Sequence, residues 1–420
     1  MMNDQQTIAY LRTLAAIRER CDRMFKLACD RQLNYFRCDL SKLDKTADYV
    51  IGVMRENYPD LNIPFHSRWR HFEVGDSARL AELDISLAKL TAIEKAKVKF
   101  DLAIISVLLD AGAGADWQYY ERETGQVFRR SEGLAVASLR MFCQGVFSSN
   151  PEQPLQADAK GLQAITIQKL APGFQVSPEN PLVGLEGRVK LLQRLGEILT
   201  QNPIFFGEEN RRPGNLVDYL LQNKISTFSH QPTRPSVHLP ASLVLTAVLE
   251  GIGEIWPGRL TITGVNLGDV WIHPALGGEK ESDRYIPFHK LSQWLTYSLL
   301  EPLEELGVEI TGLEEMTGLP EYRNGGLCLD MGLLQVARED MLQESHLPGS
   351  EVIVEWRALT VILLDQIAAA IREKLNLNES QLPLVKILQG GTWNAGRKIA
   401  AQLRRGGVPP IQIESDGTVF

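Results

Sequence analysis

The stretch Leu319 to Asp330, "LPEYRNGGLCLD", sets a carboxylate, a phenol and a guanidinium (Glu321, Tyr322, Arg323) directly before Asn324-Gly325-Gly326. Apolar segments flank it, and a second acid, Asp330, follows. By local chemistry Asn-Gly-Gly predicts a tight turn with positive backbone torsion angles. Glu321 beside Arg323 reads first as an ion pair. Glycine also lets a ligand reach the main chain, and an acid beside such an opening suits the cationic centre of glycosidic cleavage.

Two other places pose the same kind of question. In "YIPFHKLSQWLTYSL" the cations His289 and Lys290 stand at a predicted helix start, just after Pro287. Positive charge there opposes the helix dipole unless an anion is present. That anion is either a carboxylate from elsewhere in the chain or a substrate phosphate or carboxylate. Asp110 closes the apolar run "KFDLAIISVLLD" before Ala111-Gly112, a predicted helix C-terminus. A carboxylate in apolar surroundings has a raised pKa and can donate a proton near neutral pH. A solvated loop acid is the plainer alternative.

"DWQYYE" supplies Trp117 and Tyr120, which would stack a flat group or pack a core. "SRWRHF" (Arg68, Arg70, His71) and "FRRSEGLA" (Arg129, Arg130 and a Ser131-Glu132-Gly133 turn) each have the makings of a phosphate cradle, though each alone fits a surface or capping role. The chain carries no Walker loop, dinucleotide fingerprint, nucleophile elbow or HExxH.

Helices must position these groups. "RVKLLQRLGEILTQ" places Leu192, Leu195 and Leu199 on one stripe between Arg188 and Gln201. Lys97 to Leu109 is apolar nearly all round and belongs deep in a core. Further helices are predicted over Lys290 to Leu306, with Pro302 near its end, and over Val352 to Leu375. Strand-like pieces are short: Arg259 to Val265, Val270 to His273, Val308 to Leu313 and Ile411 to Ile413. Pro/Gly-rich connections fall at Ser148 to Gly187, Gly207 to Asn215, His230 to Pro240 and Pro274 to Pro287. The expected architecture is mainly α: a helical N-terminal segment over 1–60, then one large helical body over 61–420 with a few short β-strands.

Composition narrows the chemistry. The chain has 420 residues, 44% hydrophobic and 23% charged, and a formal charge of −8. Stable nucleic-acid binding calls for a basic face, so this balance argues against it. The five cysteines form no CxxC pair and match no common zinc spacing, so reduced thiols and no metal site are expected. The N-terminus has no basic-then-apolar leader pattern. The most apolar run, Ala358 to Ile371, is broken by Asp365 and falls short of the ~20 residues a bilayer span needs. No membrane role and a cytoplasmic location are expected.

Six motifs together resemble one family: "LLDAGAGADWQYYE", "RRSEGLAVASLRMF", "GLEGRVKLLQRLG", "IPFHKLSQWLTYSLLEP", "TGLPEYRNGGLCLDMG" and the terminal "SDGTVF". They look like the uracil-catabolism family of fungi and bacteria, from about Arg68 to Phe420. The resemblance implies a role in converting uracil to urea through a ribosylated, phosphorylated, ring-opened intermediate. More distantly, "HKLSQW" followed by "PEYRNGG" resembles the queuosine-salvage nucleotide N-glycosylases, helical proteins akin to DNA glycosylases. That likeness implies a DNA-glycosylase-like helical body, with the lysine role on Lys290 and the acid role on Glu321. Glu stands where that family has Asp, and Asn324-Gly325 where it has Leu-Pro.

The expectation is therefore an N-ribosyl hydrolase without cofactor or metal, acting on a small ribosyl or nucleotide-like substrate. Glu321 would stabilise the cation and orient water, and Asp110 would protonate the leaving nitrogen. Lys290, His289 and Arg323 would hold an anionic group, a 5′-phosphate; Tyr322 and Asn324 would complete the substrate contacts, and Trp117 and Tyr120 would wall the pocket. The alternatives are a nucleic-acid base glycosylase and a noncatalytic protein that channels an intermediate between other uracil-degradation enzymes.

Overall fold

The computed structural model describes residues 2–75, 77–110, 112–114, 116–222, 237–256 and 259–414. The chain is mainly α, with strands of two to four residues in two-stranded pairs. It divides into two compact units: the first comprises Met1–His66, Gly258–Gln293 and Gly312–Phe420, the second Ser67–Pro257 and Trp294–Thr311. The terminal "SDGTVF" lies outside the described residues, as does most of the His230 to Pro240 connection.

The first unit is organised on the helix Glu351–Leu375. It is buried along most of its length: Val352, Ile353, Val354, Leu359, Val361 and Leu363 belong to the core, and the charged Glu355 and Arg357 are buried with them. Helices Leu14–Cys29, Leu43–Asn57 and Tyr322–Asp330 pack on it. Helix Trp393–Leu403 packs on Tyr322–Asp330, entered through a π-helical turn at Leu388–Thr392. Strand Phe36–Cys38 pairs antiparallel with Leu334–Val336, and Val270–Ile272 with Tyr285–Pro287.

The Asn-Gly-Gly segment is not a turn. Residues 322–330 form a helix, and neither Gly325 nor Gly326 has a positive φ. The glycines are there for packing. A Cβ on Gly325 would lie 2.7 Å from the Trp356 indole, and one on Gly326 would lie 3.2 Å from Pro410. Two helix axes approach closely only where no side chain intervenes.

In the second unit the helix Ala92–Leu108 is buried as its composition predicts, with Asp101 as a charged exception at its centre. Asp101 accepts from Arg212 Nε at 2.7 Å and from the Gly214 N–H at 2.6 Å, so the carboxylate fastens the 207–215 connection to the core. Helices Arg130–Cys143 and Leu185–Gln201 pack on Ala92–Leu108. The Ser148 to Gly187 stretch is less irregular than its Pro/Gly content predicts, because Asp158 and Thr166 cap the short helices Ala159–Gln163 and Ile167–Gly173. Strand Gln118–Glu121 forms a hairpin with Gln126–Arg129, and Val237–Pro240 runs parallel to Val308–Thr311. No helix among the described residues is long and apolar enough to cross a membrane.

Candidate functional site

Glu321 is the N-cap of helix Tyr322–Asp330, and its extended backbone turns the carboxylate back over the first turn. Oε1 accepts the Asn324 N–H at 2.7 Å and Oε2 the Arg323 N–H at 2.8 Å. Burial pushes its carboxyl above the usual range, and the two N–H bonds and the charges of Lys290 and Arg323 only partly offset that. A half-buried carboxylate with both oxygens fixed is oriented for electrostatic work.

Its neighbours on the helix are arranged differently from an ion pair. Arg323 sends Nη1 to the Gly407 carbonyl at 2.8 Å and lies 4.8 Å from the Tyr322 ring centre. Asn324 donates through Nδ2 to the Leu319 carbonyl at 3.0 Å, while its buried Oδ1 has no hydrogen-bond partner among the described residues. The indole Nε1 of Trp356, against Gly325, is likewise buried without one among the described residues. An unused acceptor and an unused donor therefore adjoin the helix's first turns, and such atoms are uncommon in folded proteins.

Lys290 opens helix Lys290–Glu305, as its sequence predicts. The anion at that start is Asp269, whose Oδ2 accepts the Lys290 N–H at 3.0 Å. Asp269 also takes Arg357 in a two-pronged contact at 2.8 Å on each oxygen, and the Trp271 indole N–H at 2.6 Å. Burial alone would raise its carboxyl, but Arg357 and these hydrogen bonds outweigh it and hold the group well below the usual carboxylate range. Of the two anions the sequence left open, the carboxylate from elsewhere caps the main chain. The Lys290 side chain is half-buried, and its charge acts on both Glu321 and His66.

His289 faces the protein. Its Nε2 bonds the Leu11 carbonyl at 2.9 Å, which requires the proton on Nε2, and its backbone has a φ of 47°. Burial lowers its pKa, with Leu11 and Asp269 opposing.

His66 is a member of this neighbourhood that sequence reasoning passed over. Its Nδ1 lies 2.9 Å from Gln389 Oε1, and its ring is 5.9 Å from that of Trp393. An amide oxygen only accepts, so Nδ1 carries the proton. Burial, opposed by the Gln389 hydrogen bond and aided by the Lys290 charge, lowers its pKa from 6.5 to about 4. His66 is therefore neutral at physiological pH. Gln389 reaches it from the π-helical turn, a feature often found at functional sites.

Asp110, Trp117 and Tyr120 belong to the second unit. Asp110 is not in the apolar surroundings expected of it. Arg68 Nη1 lies 2.9 Å from its Oδ1, and Arg188 is close enough to feel its charge. Arg68 also bonds Ser106 Oγ at 2.7 Å and the Ser131 carbonyl at 3.4 Å, so the "SRWRHF" and "RRSEGL" segments meet at one guanidinium. Trp117 is a core residue, 1% exposed, with Nε1 on the Phe174 carbonyl at 2.9 Å. Tyr120 is 48% exposed on the hairpin, so the two aromatics do not form one wall. Glu301, unremarked in the sequence, holds Ser67 and Arg70. Burial raises its carboxyl to about 7 against those partners.

Among the described residues no group of three or more His, Cys, Asp or Glu side chains is placed to hold a metal ion. The chain is 41% identical over 422 residues to Protein urg3 of Schizosaccharomyces pombe, covering 99% of each chain. It is 39% identical over 451 residues to Uracil catabolism protein 4 of Lachancea kluyveri, covering 100% of each. Residues 10–420 match the family model described as "Protein of unknown function (DUF1688)", and with full-length relatives at this identity the chain belongs to that family.

Proposed function

We propose that this protein acts in uracil degradation and hydrolyses the N-glycosidic bond of a ribosylated, 5′-phosphorylated intermediate, releasing urea or a urea-like amide. Its full-length similarity to a protein named for uracil catabolism supports the pathway. The chemistry rests on one observation: the Glu321 carboxylate is fixed by two main-chain N–H groups within reach of the Lys290 charge.

Cleavage of a C1–N bond passes through an oxocarbenium-like state, which a preoriented carboxylate stabilises without reorganising. Glu321 has that role and orients the attacking water. Lys290 contacts the phosphate through its side chain, while His289, committed to Leu11, sets the position of the helix start. Asn324 Oδ1 is an acceptor suited to the N–H groups of a urea. Tyr322, with Arg323 stacked on it, contacts the sugar.

The test is incubation of purified protein with ribosylurea, ribosylurea 5′-phosphate and UMP, reading urea and free sugar by mass spectrometry. Turnover of the phosphorylated ribosylurea is expected. No turnover of any of the three would favour a noncatalytic partner.

A further inference from the structure

We propose that the second unit carries a site for a phosphate group where the Arg68 guanidinium meets the start of helix Arg130–Cys143; nothing in it depends on the hydrolase reading. Arg68 is fully buried, and its Nη2 has no hydrogen-bond partner among the described residues. A buried guanidinium with an unused donor is uncommon in a folded protein and calls for an acceptor.

Its other bonds fix the direction of that donor. Nε donates to Ser106 Oγ at 2.7 Å, and Ser106 Oγ lies 2.6 Å from Ser138 Oγ. At the far end Nη1 reaches the Ser131 carbonyl at 3.4 Å. Ser138 stands about two turns beyond Ser131 on the same helix. The guanidinium therefore lies along the helix with its Nη groups toward the N-terminus. Phe72 and Trp294 stand against it, with ring centres 5.9 and 5.7 Å from its central carbon.

The helix start suits an anion. Its N-cap, Arg129, makes no side-chain capping bond. The first-turn N–H groups of a helix have no acceptor within it, and with the dipole they favour a negative group. Asp110 takes Nη1 of Arg68 at 2.9 Å and leaves Nη2 over. Buried Arg188 bonds the Leu109 carbonyl at 3.0 Å and the Gly112 carbonyl at 3.3 Å, on either side of Asp110. Exposed Arg130 opens the helix. Arg68, Arg188 and Arg130 thus stand against two carboxylates, Asp110 and Glu132 of the first turn. That surplus of guanidinium groups matches the oxygens and charge of a phosphate.

The test is amide hydrogen exchange of the full chain, read by mass spectrometry with inorganic phosphate, ribose 5-phosphate or ribose added. Phosphate should slow exchange in peptides covering 129–135, and Lys290→Ala should keep that protection. Ser131→Asp should remove it, because a carboxylate is tolerated at a helix start but repels the anion. Arg68→Lys should raise the phosphate concentration needed by about tenfold. Should that buried change unfold the chain, Ser131→Asp decides alone. Stronger protection by ribose 5-phosphate than by inorganic phosphate would mark a phosphorylated metabolite as the ligand, and equal protection the free anion. No phosphate-dependent protection in this segment would overturn the inference. So would protection that persists in Ser131→Asp, is lost in Lys290→Ala, or is given by ribose alone.

Discussion

The Lys290 main-chain N–H donates to Asp269 Oδ2 at 3.0 Å, and Arg357 grips the same carboxylate through both oxygens. The start of the Lys290 helix thus has an anion of the protein's own. Any phosphate contact must come from the lysine side chain.

Asp269→Asn keeps the shape of this junction and removes its charge. Arg357, 1% exposed at its side chain, then loses its carboxylate inside the fold. Breaking a buried pair on one side costs about 3–5 kcal/mol. Urea unfolding should show a lower midpoint at unchanged slope; wild-type stability would mean that the pair contributes nothing.

Lys290→Ala should weaken a phosphorylated substrate roughly ten- to hundredfold more than its dephosphorylated counterpart, because a charge-assisted contact is worth about 1.5–3 kcal/mol. Inorganic phosphate should raise the melting temperature of the wild type by mass action, and that of the variant less. Equal losses on both substrates would place Lys290 on the sugar or on Glu321 alone.

The pH profile follows from Glu321. Its carboxyl sits above the ordinary 4.5, and the charged form is the one that stabilises a cation. Activity should therefore fall as pH drops through a midpoint higher than 4.5. An acid limb of kcat/KM at or below that value would assign it to another group.

Glu301 should leave a mark on stability. Its folded value of about 7 exceeds the ordinary 4.5, so the folded state keeps a proton that the unfolded chain releases between them. Stability then falls as pH rises through that window, by up to about 3 kcal/mol. Glu301→Gln should flatten this slope between about pH 4.5 and about pH 7, read as melting temperature against pH. An unchanged slope would assign it elsewhere.

The long helices are legible in the chain because their apolar stripes are local and unbroken, as in Arg188 to Gln201 and Val352 to Leu375. Gly325 is misread from local chemistry alone, since what excludes a side chain there is Trp356 on another helix. Strand Phe36–Cys38 is too short for a periodicity and owes its conformation to Leu334–Val336. Glu321 and Lys290 stand out because each sits at a helix start, where charge has a readable consequence. Asp269 with Arg357 and His66 with Gln389 do not, because a buried polar pair is defined by a partner distant in sequence.

Glu321→Gln is the most direct test of the hydrolase. The amide cannot accept both N–H bonds, so the helix should lose about 1 kcal/mol and still fold. With ribosylurea 5′-phosphate, urea release measured by mass spectrometry should drop on the order of a hundred- to a thousandfold, the effect of removing one preorganised electrostatic group. Release within a few-fold of the wild type, from a variant of near-native stability, would contradict the role of Glu321 and leave it as a helix cap.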